Sequence, residues 1–272
     1  MNLEKVAQSL EITFEKIEPS NLGITNKNYI LYDENGTKYF VRIPDIKRKD
    51  VFNREHELVV EKIASSLNLN IPYLYFNVDT GIKVAAYVEE LSTFNNYHGA
   101  DRIKKVALLM RKFHSSKIVP DFRFNPKEKL MQYFNAIDFK LHDFEQYFPL
   151  IDLIDTNSED NVLCHNDWVE GNICFKDDKS FLIDYEYAAA NNPLFDVMSF
   201  ITENNLTSQE EMEFIKHYFG NELNDEISKQ LKLWRKFHNL LWSIWGNMMY
   251  DQTKREIFKE ISFDKFSKLK TL

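Results

Sequence analysis

The chain has 272 residues, of which 44% are hydrophobic and 14% aromatic, and its formal net charge is −8 at pH 7. This length and apolar content suffice for one large domain or two lobes and exclude a disordered chain. The negative charge argues against a general nucleic-acid-binding protein, which would present a basic face. An anionic substrate stays compatible with it, because a local basic pocket can coexist with an acidic surface.

The sequence predicts neither a targeting signal, a membrane span nor a cysteine metal site. The N-terminal stretch "MNLEKVAQSL" has no apolar core of a signal peptide, and no apolar run approaches the roughly 20 residues that span a bilayer. The two cysteines, Cys164 and Cys174, have no second pair that would complete a zinc site, and we interpret them as buried strand residues. We therefore expect a soluble, cytoplasmic protein.

The first 90 residues are predicted to form a small sheet with one helix. "KNYILYDENGTKYFVRIP" places β-forming residues on both sides of Asn35-Gly36, a strong hairpin signal. "VFNREHELVVEKIASSLN" has helical spacing of its apolar residues. "IPYLYFNVDTGIKVAAYVEEL" returns to strands, with a turn at 79–81.

Residues 91–272 are predicted to be mainly helical. "ADRIKKVALLMRKFHSS" is amphipathic, a further helix is expected over 126–148, and helices are expected from Ser208 to the end. A strand pair around 162–186 interrupts them. The sequence thus predicts an α+β protein with a small β-rich N-lobe (1–90) and a larger helical C-lobe (91–272).

Polar residues cluster in the strand pair. After the strand "VLCH" come Asp167 and Asn172, and Asp184 follows the next hairpin in "FLIDYEY". Phosphoryl transfer from ATP needs a carboxylate that orients the attacking hydroxyl, and an amide and a second carboxylate that bind Mg²⁺. Asp167, Asn172 and Asp184 are predicted to fill these three roles, with Asp167 as the catalytic residue.

The pattern "HNDxxxxN" followed by "IDYEY" resembles the catalytic loop and metal aspartate of the protein-kinase-like phosphotransferases. More narrowly, "HND..EGN" and "IDYEYAAANNPLFDV" resemble the choline/ethanolamine kinase family. The resemblance implies a bilobal protein-kinase-like fold and makes the strand pair part of the C-lobe. It also implies that His165 is scaffold and that Asp196 braces the catalytic loop. His114 is predicted to be a packed core residue.

The N-lobe extends the resemblance. "LGITNKNYIL" resembles the family's phosphate loop, and "YFVRIP" one of its strands. The resemblance implies that Arg42 reaches the phosphates, that Glu57 pairs with it, with Glu55 as the competitor, and that backbone around 89–91 holds adenine. The resemblance also places Gly23 at the phosphates. The other ATP-binding residues that it implies are Thr25, Asn26, Asn28, Arg42, Glu57, Glu89 and Leu91.

The acceptor site is predicted from "NLLWSIWGNMMY". Trp242 and Trp245 lie three residues apart and hence on one helix face. Aromatic faces bind a quaternary ammonium, which cannot donate a hydrogen bond. The family resemblance adds Tyr187 and Glu203 to this choline-binding set, and Phe258 and Phe263 are candidates for further aromatics. Core packing is the alternative for the tryptophan pair.

The expected activity is the phosphorylation of choline to phosphocholine with ATP and Mg²⁺. Alternatives are a related kinase acting on ethanolamine, thiamine or an aminoglycoside, and a non-catalytic nucleotide-binding module. Trp168, Val169 and Asn192 depart from the family pattern near the acceptor site, which keeps ethanolamine open. The expected partners are small molecules, with neither nucleic acid nor membrane insertion, and a homodimer is left open.

Overall fold

The computed structural model describes residues 3–20, 26–44, 52–154 and 161–271. Helices and strands are mixed, which confirms the predicted α+β class. The chain divides into two compact units, the first Met1–Leu109 with Glu170–Ala188 and the second Met110–Val169 with Ala189–Leu272. The lobe boundary expected near residue 90 stays a prediction.

In chain order, the helices and strands are α1 (Leu3–Leu10), β1 (Phe14–Ser20), β2 (Lys27–Asp33), β3 (Lys38–Ile43), α2 (Arg54–Ser66), β4 (Tyr73–Phe76), β5 (Lys83–Ala86), β6 (Ser92–Thr93), α3 (Arg102–His114), α4 (Pro126–Asn135), α5 (Pro149–Leu153), β7 (Val162–Cys164), β8 (Ile173–Lys176), β9 (Lys179–Leu182), β10 (Ala189–Asn191), α6 (Pro193–Glu203), α7 (Ser208–Phe219), α8 (Asp225–Thr253) and α9 (Glu256–Lys270).

An antiparallel five-stranded sheet, in the order β1-β2-β3-β5-β4, forms much of the first unit. Leu31, Val41 and Val84 are fully buried on it, because alternate residues of a strand point to one face. Val6 of α1 packs into the same core. Helix α1 was not predicted from the sequence. So short a helix has little stability of its own and depends on this packing.

Two turns confirm the sequence prediction. Gly36 joins β2 to β3 with a φ of 77°, and Gly81 precedes β5 with a φ of 69°; both lie in the left-handed region that favours glycine. A Cβ atom at Gly81 would also lie 2.7 Å from the Arg54 side chain. Glycine at this position therefore permits close approach of Arg54, which matters for the site described below.

The second unit is built around α6 and the pair α8 and α9. Residues 195–202 of α6 are all buried. The hydroxyl of Ser243 on α8 donates to the carbonyl of Ser262 on α9 at 2.7 Å, and the Ser262 hydroxyl donates back to the Ser243 carbonyl at 2.8 Å. A Cβ atom at Gly246 would lie 2.9 Å from α9 backbone. Glycine and serine therefore let the two helices pack closely.

The helix expected over 126–148 is wrong in its extent, because α4 ends at Asn135. The backbone N–H groups of Asp138 and Phe139 donate to the Asp251 carboxylate at 2.7 and 3.1 Å, and that of Leu141 donates to the amide oxygen of Asn247 at 2.7 Å. These donors are satisfied by α8 instead of by helical carbonyls. Among the described helices, none is long and apolar enough to cross a membrane.

Candidate active site

The loop after β7 is held by α6. The backbone N–H groups of His165 and Asn166 each donate to the carboxylate of Asp196 at 2.7 Å. The N–H of Trp168 donates to the Ser199 hydroxyl at 3.0 Å. Asp167 thus lies between two anchored neighbours, and its side chain is partly buried. The predicted role of Asp196 as a brace of this loop is confirmed.

Asp196 is itself fully buried and keeps its charge. Burial acts to raise the pKa of its carboxyl group, but hydrogen bonding and the charge of His114 and His165 outweigh burial, and the net pKa is lowered. His114 Nε2 lies 3.0 Å from the carboxylate, and His114 Nδ1 lies 2.7 Å from the hydroxyl of Tyr218. His114 is buried, as predicted, and it also contributes to the brace.

Asn172 and Asp184 belong to the first unit, at one end of the β8–β9 hairpin. The backbone N–H of Ile183 donates to the carbonyl of Asn172 at 3.0 Å, so the two segments lie side by side. The Asn172 side chain is buried, whereas Asp184 is 28% exposed and has a φ of 66°. A partly exposed carboxylate beside a buried amide gives oxygen ligands of the kind that Mg²⁺ prefers.

Arg42 organises these residues. Its Nη1 atom lies 2.6 Å from Glu57 Oε1 and 2.6 Å from Asp184 Oδ1. Of the two carboxylates that the sequence left open, Glu57 is thus the one that lies against Arg42. Burial alone would lower the pKa of the guanidinium, but the charges of Glu57 and Asp184 raise it, so Arg42 stays charged.

Arg54 and Glu186 were not predicted from the sequence. Arg54 Nη1 lies 2.5 Å from Glu57 Oε2 and 3.4 Å from Glu186 Oε2. Their positions gave a signal, since Glu186 follows Asp184 by two residues in "IDYEY" and Arg54 precedes Glu57 by one helical turn. We call Arg42, Arg54, Glu57, Asp184 and Glu186 the charged cluster.

The charged cluster fits a divalent cation. Two guanidinium groups face three carboxylates, and burial, reinforced by the charge of Asp184, raises the pKa of Glu186 to about 7. Such an excess of negative charge is relieved when a cation binds. Oxygen atoms of Asn172, Asp184 and Glu186 could serve as its ligands.

The predicted nucleotide residues are only partly described. Thr25 and Gly23 lie outside the described residues. Asn28 lies opposite Arg42 in the register of β2 and β3, and Asn26 just precedes β2. Glu89 pairs with Lys38 at 2.6 Å. The Glu89 side chain is therefore occupied by Lys38, which would leave adenine binding to the backbone of this segment. The role of the backbone around Leu91 stays a prediction.

Three of the aromatic residues considered for the acceptor site lie together in the second unit, and we define Trp242, Trp245 and Phe258 as the aromatic cluster. The two tryptophan rings lie 5.8 Å apart at 85°, and Trp245 meets Phe258 at 5.5 Å and 89°. Both contacts are edge-to-face, a favourable aromatic arrangement. Phe263 instead contacts His142, with ring centroids 4.5 Å apart.

Two further acceptor candidates have partners of their own. Glu203 lies 2.7 Å from the buried ammonium of Lys265, so its charge is neutralised within the second unit. Tyr187 belongs to the first unit, where its ring meets Phe52 edge-to-face at 4.8 Å. The structure thus brings Trp242 and Trp245 together, and it gives Glu203 a partner that the sequence did not predict.

Comparisons with known proteins identify the family. Residues 16–234 match the phosphotransferase enzyme family. Protein LicA of Haemophilus influenzae is 30% identical over 241 residues, covering 82% of this chain and 70% of that protein.

Two solved structures show the fold. The choline kinase LicA from Streptococcus pneumoniae superposes with a TM-score of 0.79 at 22% identity, over 100% of both chains. A choline/ethanolamine kinase family protein from Mesorhizobium loti gives a TM-score of 0.79 at 19% identity, over 100% of this chain and 94% of the other. The predicted kinase-like fold is confirmed, and the chain belongs to the phosphotransferase enzyme family, as a kinase of the choline/ethanolamine type.

Proposed function

We propose that the protein is a Mg²⁺-dependent kinase that transfers a phosphoryl group from ATP to the hydroxyl of choline. The observation that carries the choline assignment is the edge-to-face pair of Trp242 and Trp245 on one face of α8. Aromatic faces attract a quaternary ammonium through their quadrupole and need no hydrogen bond from it. The similarity to LicA proteins supports the same acceptor.

The charged cluster takes the nucleotide side of the reaction. Asn172 and Asp184 would hold Mg²⁺, with Glu186 beside them, and the bound ion would neutralise charge on the phosphates. Arg42 is ionised and lies against Asp184, so we assign it the phosphate contact. Glu57 and Arg54 keep that guanidinium in place. We assign Thr25, Asn26 and Asn28 to the phosphates, and backbone around Glu89 and Leu91 to adenine.

Asp167 takes the acceptor side. We assign it the orientation of the choline hydroxyl and the acceptance of its proton as the phosphoryl group is transferred. Its position supports this role, because the backbone on both sides of it is anchored to α6. A general base gains from such fixation, since proton transfer depends on distance and direction.

The electrostatics of the acceptor residues favour a monocation. Glu203 is neutralised by Lys265, so this carboxylate offers little extra attraction to an acceptor with several positive charges. A protonated primary amine or an aminoglycoside would be bound better by unpaired carboxylates than by aromatic faces. We add Tyr187 to the choline-binding residues on the strength of the family motif "IDFEY".

Ethanolamine is the main alternative acceptor, because the relative from Mesorhizobium loti carries both substrates in its name. Thiamine and an aminoglycoside are further alternatives within the same fold. A non-catalytic nucleotide-binding module is disfavoured, because Asp167, Asn172 and Asp184 are all retained.

A substrate panel tests the proposal. Purified protein with Mg-ATP is offered choline, ethanolamine, thiamine and an aminoglycoside, and ADP release is measured against an acceptor-free control. We expect choline to give the highest kcat/KM. A higher kcat/KM for ethanolamine would replace the choline assignment, and no acceptor-dependent ADP release at all would favour the non-catalytic module.

A further inference from the structure

His238 lies one helical turn before Trp242 on α8 and is fully buried. Its Nδ1 atom accepts the indole N–H of Trp242 at 2.9 Å, and its Nε2 atom lies 3.0 Å from the carbonyl oxygen of Phe195 on α6. An indole N–H only donates and a carbonyl oxygen only accepts. The imidazole is therefore neutral, with its proton on Nε2.

The surroundings keep this state. Burial, together with the positive charge of Lys265, lowers the pKa of His238 to about 3. The ring therefore stays neutral over the whole range of ordinary assays, and its Nδ1 lone pair stays available to the indole. Because Phe195 directly precedes Asp196, the histidine also connects Trp242 to the helix that holds the Asp167 loop.

We propose that His238 is a positioning residue that fixes the Trp242 indole for binding of the acceptor cation. This proposal rests on the proposed function, in which Trp242 binds choline. The contact between Trp242 and Trp245 is edge-to-face and tolerates a range of ring angles, whereas the N–H···N hydrogen bond is directional. The hydrogen bond therefore sets the ring orientation that cation binding requires.

Two conservative substitutions separate the two hydrogen bonds of His238. The amide oxygen of His238→Asn lies near the position of Nδ1 and can still accept from Trp242. The amide nitrogen of His238→Gln lies near Nε2 and can still donate to Phe195, but the acceptor for Trp242 is lost. We expect His238→Gln to raise the choline KM by about three- to tenfold with little change in the ATP KM, and His238→Asn to raise it less.

The opposite ranking would overturn the proposal, because it would mean that only the link to α6 matters. An equal rise of the choline KM and the ATP KM, accompanied by a fall in the melting temperature, would also overturn the proposal. A histidine with a purely structural role predicts that result.

A double-mutant cycle with Trp242→Phe gives a second test, because phenylalanine keeps an aromatic face but has no N–H to donate. If His238 acts through Trp242, His238→Gln should change the choline KM by less than about twofold in that background. Full additivity of the two substitutions would contradict the proposal.

The indole N–H resonances provide a readout that does not depend on activity. In protein labelled with ¹⁵N at the indole nitrogens, Trp242 is assigned by its disappearance in Trp242→Phe. We expect its proton resonance to move upfield in His238→Gln and to move less in His238→Asn. If the Trp242 resonance does not move in His238→Gln, the positioning role is wrong and the proposed function is unaffected. If the wild-type protein is inactive towards choline, the proposed function itself is wrong.

Discussion

The charged cluster of the first unit and the aromatic cluster of the second hold their side chains in opposite ways. Arg42 meets Glu57 and Asp184 at 2.6 Å each; Arg42 and Glu57 are buried, and Asp184 is partly exposed. Trp242, Trp245 and Phe258 touch through ring edges and faces, with a single buried hydrogen bond to His238 described for Trp242. Ion pairs specify distance and direction, whereas ring contacts depend mainly on shape and area.

This contrast determines which substitutions each region tolerates. A buried ion pair becomes an uncompensated charge when one partner is neutralised, so even an isosteric change is costly. An aromatic contact loses only part of its energy when one ring replaces another. The charged cluster should therefore fail under conservative changes that the aromatic cluster survives.

The largest effect is expected from Glu57→Gln. This change keeps the shape of the side chain but leaves Arg42 and Arg54 without the carboxylate between them, at a cost of about 3 to 5 kcal/mol in the free energy of unfolding. Chemical denaturation measures it. Glu55→Gln is the matched control on the same helix, because Glu55 is exposed, and it should change stability by less than about 0.5 kcal/mol. If Glu57→Gln and Glu55→Gln change stability equally, the charged cluster does not depend on its buried ion pairs in the way that we infer.

The next effect concerns Asp167, which lies in the second unit and to which we assign a proton transfer that no aromatic contact can replace. Asp167→Asn should lower kcat by at least about a hundredfold through loss of the proton acceptor. The melting temperature and Mg-ATP binding should change little, because Asp167 is not assigned as a metal ligand. Steady-state kinetics and a thermal shift with Mg-ATP are the measurements, and near-normal turnover would contradict the assignment.

A smaller effect is expected in the aromatic cluster. Trp245→Ala should raise the choline KM about five- to thirtyfold, since a desolvated cation–π contact contributes roughly 1 to 2 kcal/mol. Trp245→Phe should lose less, because an aromatic face remains. The ATP KM should stay constant in both.

Trp234→Phe is the control for that experiment, because Trp234 is a fully buried core residue of the same helix. It should lower the melting temperature without changing the ratio of the choline and ATP KM values. If Trp245→Ala behaves in the same way, the tryptophan pair is core packing and the choline assignment loses its main local support.

The last prediction is a pH dependence of stability that arises in the aromatic region. The pKa of His238 is lowered from 6.5 to about 3 in the folded protein, so between these values the unfolded chain binds a proton that the folded one does not. Stability therefore falls as pH decreases from about 6.5 towards 3, by up to roughly 1.4 kcal/mol per pH unit from this group. Denaturation at several pH values should give a shallower slope for His238→Asn than for the wild type.

The candidate residues of the site could be named from the order of the residues alone. Asp167, Asn172 and Asp184 are named by a loop and a hairpin whose spacing is local, and the Asn35-Gly36 turn and α2 follow from local backbone preference. The pairing of Trp242 with Trp245 is likewise set by one helical turn. Short-range geometry of this kind can be read without knowing the fold.

The partners that groups find across long distances in the chain depended instead on the folded arrangement. Glu57 rather than Glu55 meets Arg42, and Lys265 neutralises Glu203. Side chains of α8 accept the hydrogen bonds of the backbone N–H groups that follow the end of α4. Such pairs are chosen by burial, because a polar or charged group removed from water must find whichever partner the packing brings near it. The local spacing of Arg54 and Glu186 gave a signal, but their partners became known only once the helices and strands were in place, and the same holds for His238.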